Sequence, residues 1–152
     1  GADPALIGFI IRPDISPRHT LNNLRETRFC TLNHVNKDII EEAHHTSARY
    51  PSEVSEFSAA NLKEVYRNDF LAPFVAEAKI SMSLELVREI NIEENSTHML
   101  ICKVHDVYCP QEIILDDGGL NIEEAQSVCV SGLFTYHESS TLAKLKYAKP
   151  KR

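Results

Sequence analysis

Two apolar runs separated by a basic, proline-containing turn are the feature that most constrains the fold of this chain. Residues Leu6–Ile11 are continuously apolar, which is typical of a strand covered on both faces. Pro13 ends this strand, because proline cannot donate a hydrogen bond to a sheet ladder. Ser16 is a good helix N-cap followed by proline at the first helical position, and a second apolar run begins at Phe29. The order predicts strand, turn, helix and strand within residues 6–35.

The first turn of the predicted helix, which runs to about Thr27, is basic. Arg18 and His19 fall in this turn, where positive charge opposes the helix dipole. The mismatch favours an anion at this end of the helix, since the free N–H groups and the dipole would both attract one. A solvated surface turn accounts for the same residues, and the local sequence leaves both interpretations open.

The second half of the chain predicts antiparallel strands. From Lys79 to Ile90 apolar residues recur with a period of two, a polar loop follows at 93–96, and a returning strand spans 98–107. A further short strand is expected at 112–115. We therefore predict a mainly β fold with short helices (α+β), in the form of a small β-barrel made by one domain over residues 1–152.

Two asparagines predict short helical segments. Asn36 caps a helix over 37–43, and Asn121 caps a single turn over 121–125. Between the first of these helices and the long strands, residues 44–70 form a polar connection without clear periodicity. Connections of this length are often functional.

Composition excludes several classes of function. The net charge of −6 argues against nucleic-acid binding, which needs a basic face. No apolar segment reaches the roughly 20 residues that span a bilayer, and no signal peptide is visible, so we expect no membrane association. Four cysteines without a CxxC pattern are too few for a disulfide scaffold, which favours a reducing, cytoplasmic location.

The usual catalytic and metal-binding motifs are missing from the sequence. It contains no HExxH, CxxC, GxSxG, P-loop or GxGxxG pattern. His44 and His45 are adjacent, and neighbouring residues of an extended segment point in opposite directions. We therefore predict no metal site and no catalytic side-chain constellation. The residues alone indicate a β-rich domain with one basic turn.

Six motifs, in order along nearly the whole chain, give a more specific indication of fold and function. They are Pro4–Phe9, Arg18–Asn23, Thr31–Val35, Thr46–Tyr50 with Val54–Phe57, Ala72–Val75, and Ser131–Leu133 with Tyr136 and Tyr147–Pro150. In this order they resemble the flavin reductase-like family, the FMN-binding split β-barrel. The resemblance implies a homodimer of split barrels that holds FMN near the subunit interface.

The resemblance also implies the chemistry. Family members accept a hydride from NAD(P)H onto the flavin, so the cofactor rather than a side chain does the chemistry, and no catalytic residue is expected. The resemblance therefore favours an NAD(P)H:flavin oxidoreductase. A non-catalytic flavin-binding or electron-transfer module is the alternative, and a structural dimer with a degenerate site is a third class. The preference for NADH or NADPH and the final electron acceptor stay open.

Site residues carry over from the family only where the motifs match. Arg18, His19 and Thr20 match the stretch near the FMN phosphate, although His19 stands where the family often has Asp, and Arg12 could add charge there. The other expected cofactor-binding residues are Asn33, Thr46, Ser47, Ala48 and, from this or the partner subunit, Tyr136.

One departure from the family concerns the beginning of the barrel. Family members carry a pair of N-terminal strands, with an Asn-containing stretch at the flavin site, before the segment that starts at Gly1 here. The sequence leaves open whether the chain is a fragment or this member has lost those strands. Without them we expect a split barrel with exposed sheet edges.

Overall fold

The computed structural model describes residues 3–13 and 19–150 and is mainly β. The strands are β1 (Leu6–Ile11), β2 (Phe29–Asn33), β3 (Glu64–Val65), β4 (Phe74–Val75), β5 (Ser81–Ile92), β6 (Thr97–Tyr108), β7 (Val128–Ser131) and β8 (Thr135–Glu138). The helices are α1 (His19–Thr27), α2 (Ile40–His45) and α3 (Glu56–Ala59), with 3-10 turns at Lys37–Ile39 and Gln111–Ile113. The prediction of a mainly β fold with short helices is confirmed.

The main sheet is four-stranded and antiparallel, in the order β1-β6-β5-β2. Its centre is the long β5–β6 hairpin, as the period-two pattern predicted. Register shifts at Ser83/Leu84 and Leu86/Arg88 mark irregularities that bend this ribbon. Within the described residues the sheet does not close, and β1 and β2 form its two edges.

Helix α1 covers one face of this sheet. Leu21 and Leu24 lie one turn apart on the helix and are 0% and 1% exposed. They pack against a buried cluster on the two central strands, formed by Leu84, Leu86, Leu100 and Cys102. This packing sets the position of α1, and so places its first turn beside the end of β1.

Strand β1 differs from the prediction in its coverage. Ile7, Phe9 and Ile11 pack towards the core, whereas Leu6 and Ile10 are each 52% exposed. The expectation of cover on both faces is therefore wrong for the described chain. A continuous apolar run does not show which neighbours a strand has, and within the described residues β1 pairs with β6 alone.

The segment after β6 also differs from the prediction. A strand was expected at 112–115, but the chain forms a 3-10 turn and a single bridge between Ile114 and Leu120. Ile113 is buried in this turn against Ile80 and Ala125. Its apolar character therefore reflects packing in a second small core rather than a strand.

Both asparagine caps are confirmed. Oδ1 of Asn36 accepts from the Asp38 N–H at 3.0 Å, and the helical segment continues to His45, two residues further than predicted. Oδ1 of Asn121 accepts from the Glu124 N–H at 3.1 Å, and Ala125 N–H donates to Asn121 O. In the described part of the chain, no helix combines the length and apolar character needed to cross a bilayer.

Candidate functional site

A cleft of 590 Å³ opens where β1 ends, α1 begins and the loop after α2 returns towards them. Its walls come from three separate parts of the sequence. These are residues 9–12 of β1 and the following turn, residues 19–21 of α1, and residues 46–52 with Glu56. The size falls within the range of about 300–1,000 Å³ that is usual for small-ligand sites.

One side of the cleft is basic. Arg12, His19 and Arg49 line it, and the first turn of α1 contains no acidic residue. Within the described residues, 3–13 and 19–150, no ion pair involves Arg12 or Arg49. The side chain of Thr20 adds a hydroxyl at the same place. The guanidinium groups of Arg12 and Arg49 therefore form no ion pair within the described residues. Beside the start of a helix, they are well suited to binding a phosphate.

The loop after α2 is held tightly to its own helix. The Thr46 hydroxyl donates to Ala43 O and the Ser47 hydroxyl donates to His44 O, both at 2.7 Å. The Ala48 N–H donates to His45 O at 3.1 Å. These donors are therefore already used, and the loop shapes the wall of the cleft. Side chains that remain able to donate to a bound anion include Arg12, Arg49, His19 and Thr20.

Another part of the cleft lining is apolar. Phe9 and Ile11 are half-buried where β1 meets the core, and Tyr50 and Pro51 come from the loop. A lining that combines apolar and basic residues suits a ligand with a flat, weakly polar body and an anionic tail. FMN has this character, and the residues present fit it.

The structure brings six of the nine predicted cofactor-binding residues to this cleft. They are Arg12, His19, Thr20, Thr46, Ser47 and Ala48. Arg18 lies outside the described residues.

Asn33 is placed elsewhere. Its Oδ1 accepts from the Val75 N–H at 3.2 Å and its Nδ2 donates to the Thr31 hydroxyl at 2.9 Å. These bonds tie the end of β2 to β4, and Asn33 is not among the residues that line the cleft.

Tyr136 is also placed outside the cleft of its own chain. Together with Ile40, Glu41, His44, His45 and Phe134 it lines a smaller pocket of 280 Å³ between α2 and the β7–β8 hairpin. This pocket lies on another side of the helix that leads into the cleft loop.

Sequence reasoning missed Arg49 and the apolar wall. Arg49 stood inside the quoted motif Thr46–Tyr50, directly after three residues that were assigned to the site. The missing information was the path of the loop, which brings Arg49 back to β1. Among residues 3–13 and 19–150, no group of three His, Cys, Asp or Glu side chains is placed to hold a metal ion.

Comparison with known proteins gives the family. The sequence model of the flavin reductase like domain matches residues 1–132. The chain belongs to the flavin reductase-like family. Its fold, mainly β with few short helices, is the split barrel of these proteins, and this confirms the resemblance seen in the motifs.

Solved structures and a sequence relative agree with this assignment. A protein of Shewanella frigidimarina NCIMB 400, provisionally assigned as a flavin reductase with a split barrel domain, superposes with a TM-score of 0.92 at 42% identity, over 97% of this chain and 73% of its own. Nitrilotriacetate monooxygenase component B from Bacillus cereus has a TM-score of 0.82 at 22% identity, over 95% of this chain and 74% of its own.

Flavoredoxin of Desulfovibrio vulgaris (Miyazaki F) has a TM-score of 0.77 at 20% identity, over 95% of this chain and 75% of its own. An uncharacterized protein of Aquifex aeolicus (strain VF5) is 27% identical over 139 residues, which is 89% of this chain and 68% of that protein. At these identities the flavoredoxin and the Bacillus protein support the fold alone.

Proposed function

We propose that this flavin reductase-like protein binds FMN in the 590 Å³ cleft and transfers a hydride from NAD(P)H to the flavin. The observation that carries the proposal is the arrangement of the cleft. Two arginines that form no ion pair within the described residues line it beside the start of α1, together with the apolar residues Phe9 and Ile11 at the end of β1. In a chain of this family, that arrangement suits a flavin phosphate and a flavin ring.

The protein's own residues would bind and orient the cofactor. Arg12 and Arg49 would hold the phosphate by charge-assisted hydrogen bonds, and His19 and Thr20 would supply further donors at the start of α1. Phe9 and neighbouring apolar groups would shield the bound flavin from water. Bound flavin supplies the position that accepts the hydride.

We propose a homodimer as the working form. The β7–β8 hairpin supports this, because Leu133 and Phe134 at its turn are 63% and 74% exposed and Val130 is 50% exposed. Exposed apolar groups that cluster on one hairpin are typical of an interaction surface. In such a dimer Tyr136, which lies beside Phe134, could approach the cleft of the partner. Size-exclusion chromatography with light scattering should give twice the mass of the chain, and a monomer at micromolar concentration would contradict the proposal.

A reducing compartment such as the cytoplasm suits this protein. All four of its cysteines are unpaired, including Cys129, which is exposed.

The decisive experiment is optical. The purified protein should show a flavin spectrum, or acquire one on titration with FMN, and anaerobic stopped-flow mixing with NADH or NADPH should bleach it promptly. A protein that neither contains flavin nor binds FMN would rule out the proposed function altogether.

A non-catalytic electron-transfer module is the second candidate. Flavoredoxins from Desulfovibrio vulgaris and Methanosarcina acetivorans share the fold, with TM-scores of 0.77 and 0.76. Such a protein would bind FMN, and its flavin would be reduced by dithionite. It would remain oxidised on mixing with either nicotinamide nucleotide, and this result would select the module over the reductase.

A further inference from the structure

A second polar cavity of 490 Å³ lies between the β4–β5 connection and the end of β6. It shares no lining residue with the flavin cleft. Phe9 of the cleft pairs with Leu100 on β6, whereas the second cavity is lined by Tyr108, eight residues further along the strand. At about 3.3 Å per residue this is on the order of 25 Å along β6. The two cavities are therefore separate sites.

Arg67 is held in this cavity on an aromatic support. Its guanidinium carbon lies 5.2 Å from the ring centroid of Tyr108 and 5.7 Å from that of Phe74. Phe74 is fully buried, and the two rings meet edge to face at 5.2 Å. The Tyr108 hydroxyl in turn accepts from Nδ2 of Asn68 at 3.0 Å. Rings fixed in this way orient a guanidinium by cation–π attraction and leave its hydrogen-bond donors for another partner.

The hydrogen-bonding capacity of Arg67 is not met by the protein. Its Nε is buried and has no hydrogen-bond partner among the described residues. None of the ion pairs found within residues 3–13 and 19–150 includes Arg67. A buried donor without an acceptor is unfavourable, and most such groups in folded proteins are satisfied. No described residue therefore binds this guanidinium, and its terminal Nη groups are left to donate to a ligand.

The other charged groups of the cavity leave it suited to an anion. Lys79 contributes a second cation, whose Nζ lies 3.7 Å from Asp38 Oδ2 and is bonded to Gln126. Glu77 also lines the cavity, but both of its carboxylate oxygens lie 3.2 Å from the Lys63 N–H. The carboxylate is thus engaged by the backbone and forms no ion pair with Arg67.

We propose that this cavity binds an oxyanion, the carboxylate or phosphate group of a small ligand, with Arg67 as its main partner and Lys79 as a second cation. The planar guanidinium offers its two Nη groups as parallel donors, which match two oxygens of one carboxylate or phosphate. The site does not depend on the flavin cleft, and its test needs no redox activity.

The test uses the side-chain N–H signal of Arg67 in nitrogen-15 NMR spectra of the full chain. Sodium phosphate and sodium acetate are titrated separately, each against sodium chloride at matched ionic strength. We expect the Arg67 Nε–H signal to shift saturably with at least one of the two anions. The more effective anion identifies the ligand group as phosphate or carboxylate.

Two variants and one control separate binding from a structural role. Arg67→Lys keeps a cation over the rings but loses the planar set of donors, and should weaken anion binding about tenfold or more, as should Arg67→Gln. Because these variants lack the Arg67 signal, the affinity of all the proteins is compared through the backbone N–H signal of Tyr108, which lines the same cavity. Arg88→Gln removes an exposed arginine of β5 and should bind like wild type. Shifts with chloride equal to those with the oxyanions would overturn the proposal, and so would unchanged affinity in a folded Arg67→Lys protein.

Discussion

The hydroxyl of Tyr136 lies 3.0 Å from Nδ1 of His44 and joins β8 to the last turn of α2. The two rings also meet edge to face, with centroids 5.8 Å apart, and the Phe134 ring packs against His44 as well, at 6.0 Å. Helix α2 leads directly into the loop of Thr46–Ala48 that forms one wall of the cleft. The β7–β8 hairpin therefore supports the cleft from outside.

Tyr136→Phe tests this support. Loss of one partly buried hydrogen bond should lower the free energy of unfolding by about 0.5–1.5 kcal/mol, because the ring packing is kept. FMN affinity should change little. Urea denaturation and FMN titration of the same protein measure both effects. A large loss of FMN affinity at unchanged stability would instead make Tyr136 a flavin contact, reached through the partner subunit.

Arg49→Gln tests the basic end of the cleft. Removing one charge-assisted hydrogen bond to the phosphate should weaken FMN binding by about 1.5–3 kcal/mol, which is roughly 10- to 150-fold. Arg12→Gln and Arg18→Ala are expected to act in the same direction. Quenching of flavin fluorescence measures the dissociation constant. Arg88→Gln, which changes the net charge equally on an exposed part of β5, is the control and should leave the affinity unchanged.

Glu89 makes stability depend on pH. Hydrogen bonds from Arg25 hold the pKa of this carboxyl below its ordinary value of 4.5, and His98 Nδ1 lies 2.8 Å from it. A lowered pKa contributes stability that is present above about 4.5 and is lost as the pH falls through the folded-state value. Glu89→Gln should therefore cost about 0.2–1 kcal/mol near neutral pH, the range of a partly exposed pair. The difference should vanish in strong acid.

Urea unfolding of both proteins between neutral and acidic pH checks this. A Glu89→Gln protein whose stability runs parallel to wild type over the whole range would show that the pair contributes nothing to the pH dependence.

The cysteines should differ in reactivity. Burial, with Cys102 nearby, raises the pKa of Cys30 to about 12, whereas Cys129 is exposed on β7. At about pH 8 only about one in ten thousand Cys30 thiols would be ionised, so Cys129 should react with iodoacetamide far faster. Peptide mapping by mass spectrometry over time measures both. Equal rates in the folded protein would mean that the core around Cys30 opens readily, and urea should abolish any difference.

The elements that sequence patterns predicted well are those whose signal is local. The β5–β6 hairpin follows from a period-two pattern on both sides of a polar loop, and the caps at Asn36 and Asn121 follow from side chains that bond their own next turn. The failures have a different origin. Ile113 and Leu6 are apolar residues of short runs, and the pattern cannot tell a strand from a packed turn, or one covered face from two.

The site divides in the same way. The basic turn and the start of α1 are neighbours in the chain, so Arg12, His19 and Thr20 could be grouped by their sequence positions. Arg49 joins them only because the chain path from α2 to α3 returns to the end of β1. Arg67 could not be assigned to a site from the sequence. Its role depends on its position beside Phe74 and Tyr108, which lie on two different strands.

By itself, the sequence determined the antiparallel β character, the capped helical turns, the basic start of α1 and, through the order of its motifs, the flavin reductase-like family. These depend on contacts between residues close in the chain, or on residue types at matching positions. The tertiary structure alone decided which loop completes the cleft, that Tyr136 supports α2, and that Arg67 lines a separate cavity. These relationships join residues far apart in sequence, whose approach is set by the packing of α1 and the bent β5–β6 hairpin.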